Sequence, residues 1–487
     1  MTLQELTREL KLPSPQKNRS IDVIAQHPMQ ANEKSVFVCL KGARHDGHEH
    51  AMEAYQNGCR IFVAQSPLSL PDDAYVFYVP STRSALAILA CCFFDHPSRK
   101  MRVVGVTGTK GKTTVASLIR ALLEHAGISC GYVGTNGVAY KDTAYRLANT
   151  TPDPVTLQSI LRDMYECGTE AVVIEISSQA VYQARIEGLA IDTCVYTNLY
   201  TDHIGPTEHP SFAHYMDCKR RIFSDYGCKT MICNTDDEHC TVMRETASAA
   251  KTVTYAIECG SADYTAQSIL QFNAEKDFGT EFLLCSKESR LPCSISMPGL
   301  FNVYNALAAV AVARECFAIP LDVCASALRS ASVEGRTEMI PLPNGATAVI
   351  DYAHNGSSLS QLLTAMRAYH PNRLLCLFGS VGERSQLRRR ELGIVAASLC
   401  DLAILTSDNP GCENPQDIID EIARPFSESK TPFLSIIDRQ AAIKAAVDLT
   451  RKGDILVLAG KGHEQYQLIG KEKLPYSDAD ALRKAIL

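Results

Sequence analysis

The strongest chemical signal in the chain is the octet Thr107-Gly108-Thr109-Lys110-Gly111-Lys112-Thr113-Thr114. Its glycines would let backbone N–H groups approach phosphate oxygens, and a helix opening at its end would add partial positive charge. Lys112 could neutralise the outer phosphates, and the hydroxyl of Thr113 or Thr114 could ligate Mg²⁺. Val106 stands where the commonest Gly-x4-Gly-Lys pattern has its first glycine. The competing reading is a tight turn with a surface lysine. The strand before the octet and the helix after it favour the phosphate loop.

Those flanking elements follow from hydrophobic periodicity. Residues 102–107 read as a buried strand. Val115, Leu118, Ile119, Leu122 and Leu123 repeat with helical spacing up to Gly127. Residues 171–175, 194–198 and 229–234 are short apolar runs with polar C-terminal ends, as buried parallel strands require. A second series begins near residue 346, with strands expected at 346–351, 373–378, 402–406, 433–437 and 454–459, separated by helices such as 388–400 and 439–449. Such alternation implies an α/β chain in three domains: 1–99, a central phosphate-loop parallel sheet at 100–332, and a C-terminal Rossmann-like sheet at 333–487.

Composition sets the frame. The chain has 487 residues, 46% of them hydrophobic, and a net charge of −6, which disfavours a nucleic-acid partner. The charged start of the chain carries no apolar leader. The longest apolar run, residues 85–94, is too short to span a bilayer, which needs about 20 residues, and reads as a buried helix. A cytoplasmic, monomeric protein is expected. Its 19 cysteines include no CxxC pair, so reduced, buried thiols are expected rather than disulfides or a zinc motif.

Residues 107–114 resemble the ATP loop of the Mur ligases, ATP-dependent amino-acid ligases of bacterial cell-wall synthesis. Further motifs of that family follow in order: Asn149-Thr-Thr-Pro152, Glu175-Ile-Ser-Ser178, Thr197-Asn198, Asp202-His203, Tyr215 with Lys219, residues 299–305, Glu334-Gly-Arg336, Asp351-Tyr-Ala-His354, Asp408-Asn-Pro410 and Gly460-Lys-Gly-His-Glu464. The last two are most similar to the MurE branch, which adds the third residue of the stem peptide to UDP-MurNAc-L-Ala-D-Glu.

The resemblance implies a role for each matching residue. Gly108, Thr109, Lys110, Gly111, Lys112, Thr113 and Thr114 would hold ATP, helped by Asn302 and Arg336. Thr113, Glu175 and His203 would hold Mg²⁺. Lys219 would be carbamylated by CO₂ and help hold a second Mg²⁺. Lys112, Glu175, His203 and Lys219 form the catalytic set. Thr150, Thr151, Ser177, Gln183 and Arg185 would contact the acceptor, Arg185 as a fork for a carboxylate. Arg384, Asp408, Asn409, Gly460 and Glu464 would read the incoming amino acid. Asp351 is either a site residue near a hinge expected at Gly335 or an N-cap for the next helix. In the implied reaction a carboxylate is phosphorylated by ATP and the acyl phosphate is attacked by an amine.

Two departures stand out. Family members that add meso-diaminopimelate carry Arg after Asp-Asn-Pro, whereas this chain has Gly411. That favours L-lysine or another amino acid without a second carboxylate. The family's Asp-Ser-Arg in the first domain is replaced by His27-Pro28-Met29, which leaves the uridine contacts open. Two alternatives therefore accompany the main expectation: a related ligase with a different acceptor, and a non-catalytic nucleotide-binding module.

Overall fold

The computed structural model describes residues 1–13, 18–42, 45–205, 208–274, 277–383 and 386–486. It divides into two compact units: Met1–Tyr255 with Ala311–Ile319, and Ala256–Val310 with Pro320–Leu487.

The first unit contains two sheets. The smaller is four parallel strands in sequence order, Val23–Ala25, Ser35–Val38, Ile61–Ala64 and Tyr75–Tyr78. Its apolar faces are covered by the helices Leu3–Glu9, Ala51–Gln56 and Thr82–Phe93. The last of these contains nearly all of the apolar run at 85–94, held at its start by the Ser81 cap. In the larger sheet the strand Arg102–Thr107 lies between Ala171–Glu175 and Thr193–Tyr196, all parallel. Thr230–Asn234 and Lys251–Ala256 extend one side and Cys130–Gly134 the other, again in parallel. Gly137–Tyr140 and Thr143–Tyr145 close that side as antiparallel strands. Val106 pairs with Glu175 and Thr107 with Tyr196, so the phosphate loop, Glu175 and the segment after Tyr196 all leave the sheet at one edge. Ligands of open parallel sheets bind at that carboxyl edge.

The second unit carries three antiparallel strands, Tyr264–Ala274, Asp277–Ser286 and Arg290–Ile295. The expectation of continuous βα alternation passed over this region. Its strands mix apolar and polar residues, the mark of a sheet with one covered face rather than two. The unit's main sheet has the order Glu338–Pro341, Thr347–Asp351, Ile455–Ala459, Leu374–Phe378, Leu402–Leu405 and Phe433–Ser435. All pairs are parallel except the first. These are the five expected strands, shorter by up to two residues, plus an antiparallel edge.

A buried ion pair secures the carboxyl edge of this sheet. Arg439 and Asp478 have no exposed side-chain surface and form two hydrogen bonds, at 2.8 and 2.7 Å. Arg439 also donates to the Ala459 carbonyl at 3.0 Å, at the end of the central strand. Burial alone would push the guanidinium pKa down, but Asp478 outweighs it and holds the charge. The last helix, Asp478–Ala485, is thereby fixed to the strand that precedes Gly460. Removing one member leaves a buried charge without its partner, which costs about 3–5 kcal/mol. Asp478→Ala is therefore expected to lower the unfolding free energy by that amount, read in a denaturant titration as a lower midpoint with an unchanged slope.

Candidate active site

The loop at Gly108–Gly111 joins the strand Arg102–Thr107 to the helix Lys112–His125. Gly108 and Gly111 have φ of +148° and +84°, values that L side chains rarely adopt. A Cβ on Gly108 would lie 1.9 Å from Thr197 Oγ1. The loop is held from below by the next strand's exit. Thr109 N donates to the Asn198 carbonyl, Lys110 N donates to Asn198 Oδ1 at 2.9 Å, and Thr197 Oγ1 donates to the Lys110 carbonyl at 2.7 Å. Thr109 Oγ1 meets the Tyr215 hydroxyl at 3.0 Å. Lys112 Nζ donates to the Gly108 and Thr109 carbonyls.

Thr113 Oγ1 donates to Glu175 Oε2 at 2.9 Å. Glu175 is fully buried. Its carboxylate also accepts from the Tyr132 hydroxyl, from Thr135 N and from Thr135 Oγ1. A hydroxyl and a fully buried carboxylate at the mouth of a phosphate loop are hard oxygen donors, the set that Mg²⁺ prefers. His203 is bonded through Nδ1 to Glu208 at 3.1 Å and has a left-handed φ of +56°. Asp202 pairs with Lys110 at 3.2 Å. Burial would raise the Asp202 pKa, but Lys110 and His203 hold it well below the usual carboxylate range.

Lys219 is a buried side chain on the helix Phe212–Ser224. Its Nζ donates to the Gly108 carbonyl at 2.8 Å. Burial first, and then the charge of Lys112, pushes its pKa well below that of an ordinary lysine.

The expected acceptor residues lie next to Glu175. Thr151 Oγ1 donates to the Glu175 carbonyl at 2.7 Å and accepts from Ser177 N at 3.1 Å. Thr150 Oγ1 meets Thr135 Oγ1 at 3.1 Å. Arg185 donates to the Thr151 carbonyl and twice to Gln183 Oε1. All of these partners are neutral oxygens. Among the described residues Arg185 forms no ion pair, and burial lowers its pKa. A half-buried guanidinium among neutral acceptors suits an incoming carboxylate. In the smaller sheet's region, His27 caps a short 3₁₀ turn with Met29 exposed. His48 bonds Asp46 at 2.6 Å and accepts from Gln65 N.

In the second unit a buried lysine organises the expected amino-acid residues. Lys461 Nζ lies 3.2 Å from Asp408 Oδ1, 2.9 Å from Asn409 Oδ1 and 2.9 Å from Glu464 Oε2. Asn409 Nδ2 also donates to Glu464, at 3.0 Å. A Cβ on Gly460, whose φ is +107°, would lie 2.9 Å from Asp408 Oδ2. Arg384 lies outside the described residues. Asp351 does not cap the next helix; Asn355 does. Asp351 instead accepts from Thr337 N and Ala353 N, both at 2.8 Å. Asn302 is buried, donating to the Pro298 carbonyl and Thr337 Oγ1. Arg336 lies over the Tyr352 ring at 4.6 Å.

Family models agree with this architecture. The "Mur ligase middle domain" matches residues 106–313, and "Mur ligase, glutamate ligase domain" matches residues 335–462. A UDP-N-acetylmuramoyl-L-alanyl-D-glutamate–2,6-diaminopimelate ligase of Geobacillus kaustophilus is 35% identical, over 93% of this chain and 92% of its own. The chain belongs to the Mur ligase family. A ligase of the same description from Caldanaerobacter subterraneus is 32% identical over 96% of both chains. A solved structure of such a ligase superposes with a TM-score of 0.72, at 27% identity, covering 100% of this chain and 98% of the other.

Several site features of this Mur ligase escaped the sequence reading. Tyr132 and Thr135 bind Glu175 but belong to no motif. Lys461 sits inside the Gly460–Glu464 motif, where a lysine in a loop reads as a solvated charge. The glycine-flanked apolar strand before it was the available signal of burial. Glu464, expected to read the incoming amino acid, accepts from the Lys461 ammonium.

Replacing Glu175 by Gln keeps the shape but puts an NH₂ among hydroxyl and N–H donors. Charge-assisted bonds of this kind are worth about 1.5–3 kcal/mol, or roughly 10- to 100-fold. The Mg²⁺ concentration for half-maximal ATP turnover in the Glu175→Gln variant is expected to rise by that factor.

Proposed function

We propose that this Mur ligase adds an amino acid, as the third residue of the stem peptide, to UDP-MurNAc-L-Ala-D-Glu, with ATP converted to ADP through an acyl phosphate. The observation that carries the reading is continuity. The Thr113–Glu175 contact at the phosphate loop shares the Glu175 segment with Thr151, Ser177 and Arg185. Phosphate donor and carboxylate acceptor would thus meet at one strand end.

The residues divide the work. The loop amides and Lys112 bind the phosphates, and Lys110 is held by Asp202 beside them. Thr113, Glu175 and His203 would hold Mg²⁺, which supplies charge neutralisation for phosphoryl transfer. Arg185, Gln183, Thr150, Thr151 and Ser177 orient the acceptor so that its carboxylate faces the γ-phosphate. Lys219 is the proposed carbamylation site. Burial, and then the charge of Lys112, shift its amine towards the uncharged form, which is the form that adds CO₂ with loss of a proton. The carbamate would offer anionic oxygens to a second Mg²⁺. Asn302 and Arg336 are assigned to the nucleotide, Arg384, Asp408, Asn409, Gly460 and Glu464 to the amino acid, and domains at 1–99, 100–332 and 333–487 to acceptor, ATP and amino acid. The reading places a monomeric enzyme in the cytoplasm. Its cysteines are all free, and no described helix is long and apolar enough to cross a membrane.

For the amino acid, the surroundings of Gly411 favour a substrate without a second carboxylate. A Cβ there would lie 3.4 Å from the Glu383 carboxyl carbon, and Cys412 N donates to Glu383. A carboxylate brought to this place would meet a like charge, where double-charge recognition needs a cation. The relatives named above are diaminopimelate ligases, so the position would set this chain apart from them.

ADP release with UDP-MurNAc-L-Ala-D-Glu and a panel of amino acids tests the reading. Turnover is expected with L-lysine or a comparable amino acid. No turnover with any amino acid overturns the function, whereas a preference for meso-diaminopimelate overturns only the Gly411 inference. Lys219→Ala is expected to lose activity that short carboxylates partly restore; unchanged activity in the variant removes the carbamate.

A further inference from the structure

Beside the candidate active site, and apart from its Mg²⁺ ligands, the first unit gathers three soft donor atoms. His209, His214 and Cys218 each offer one ligand atom, all within 4.8 Å of one another. His209 Nδ1 lies 2.9 Å from His214 Nδ1, and Cys218 Sγ lies 3.9 Å from the same nitrogen. In a tetrahedral zinc site, with Zn–N about 2.0–2.1 Å and Zn–S about 2.3 Å, the corresponding edges are about 3.4 and 3.6 Å. Both edges are within about half an ångström of those values.

Local structure explains the convergence. His214 and Cys218 are four residues apart on the helix Phe212–Ser224 and therefore share a face. His209 stands just before that helix, which is capped by Ser211. His209 is fully buried, and Cys218 is 2% exposed. The Tyr182 ring packs edge-on against His214 at 4.9 Å, and Tyr215 lies 5.3 Å from His209. His209 Nε2 is 2.9 Å from Ser178 Oγ. With Ser178 accepting from Nε2–H, His209 Nδ1 carries the lone pair, which faces His214 Nδ1 and would turn to a cation once the proton between the two nitrogens is displaced. The bond to Ser178 is the outer hydrogen bond that metal-binding histidines normally make.

We infer that His209, His214 and Cys218 form a binding site for a thiophilic divalent cation of the zinc type, distinct from the Mg²⁺ site at Thr113 and Glu175. The donor set selects against Mg²⁺, which takes hard oxygens. On binding, the Cys218 thiol gives its proton to solvent and the sulfur bonds the cation. The proton shared between the two Nδ1 atoms moves to an outer ring nitrogen or to solvent. The fourth position is left for water. His209 N donates to the His203 carbonyl at 3.1 Å, and Cys218 precedes Lys219. A cation here therefore fastens the segment carrying His203 to the helix carrying Lys219.

Co²⁺ titration of the full-length, metal-stripped protein in excess Mg²⁺ tests the site. One equivalent is expected to bind with a near-ultraviolet thiolate-to-cobalt charge-transfer band. Cys218→Ser should lose the band although eighteen of the nineteen thiols remain. Cys218→His should keep the stoichiometry without the band, and Ser178→Ala should weaken binding by about 10-fold. Zn²⁺ should raise the melting temperature of the parent protein and not that of Cys218→Ser. The parent and Cys218→Ser should melt at similar temperatures without metal, which separates lost binding from lost folding. A charge-transfer band that persists in Cys218→Ser, or no stoichiometric Co²⁺ binding by the parent, overturns the assignment.

Discussion

A carboxylate without any solvent exposure is tolerated only where donors replace its water. Glu175 meets that condition with four, supplied by Thr113, Tyr132 and Thr135. The rest of the first unit's site depends on this satisfaction. It fixes the start of the phosphate-loop helix to the neighbouring strand's end. Through the Glu175 carbonyl it also fixes Thr151, and through Thr151 it fixes Ser177 and Arg185. Parallel pairing of three adjacent strands delivers these groups to one edge. The polar network then sets their separations.

The second unit solves the same problem with the opposite charge. Lys461 is a buried ammonium whose three near neighbours are the side chains of Asp408, Asn409 and Glu464. Two loops that leave different strands are joined by one cation, and the Arg439–Asp478 pair lies behind them. The side chains of Asp408, Asn409 and Glu464 are thus held in place by the protein's own lysine, which partly neutralises the two carboxylates.

Much of this was legible in the sequence. Continuous apolar runs marked the strands at 102–107, 171–175 and 374–378, because both faces of those strands are covered. The strand, glycine loop and helix at 102–125 were legible because a glycine spacing reports backbone geometry directly. The antiparallel strands between 264 and 295 were not, since their half-covered faces give a weaker pattern. Nor were Tyr132, Thr135 and Lys461. Their roles arise from which strands become neighbours, and a single sequence does not state that. Most of the cysteines are buried, as expected of small apolar side chains. Proximity in space, rather than spacing in sequence, brings Cys218 to two histidines.

One feature of the chain's path bears on how the molecule is made. Neither compact unit is a continuous stretch: residues 311–319 belong with the first, although the second has by then contributed residues 256–310. During synthesis the first 255 residues emerge without the segment that completes their unit. The nascent first unit must therefore wait, incomplete, through roughly sixty further residues, a delay of about 3–12 s at 5–20 residues per second. A fragment ending at residue 255 would lack residues 311–319 and the bonds they make to the first unit, among them the Cys316 carbonyl that accepts from Arg102 and the Glu315 carboxylate that pairs with Lys251.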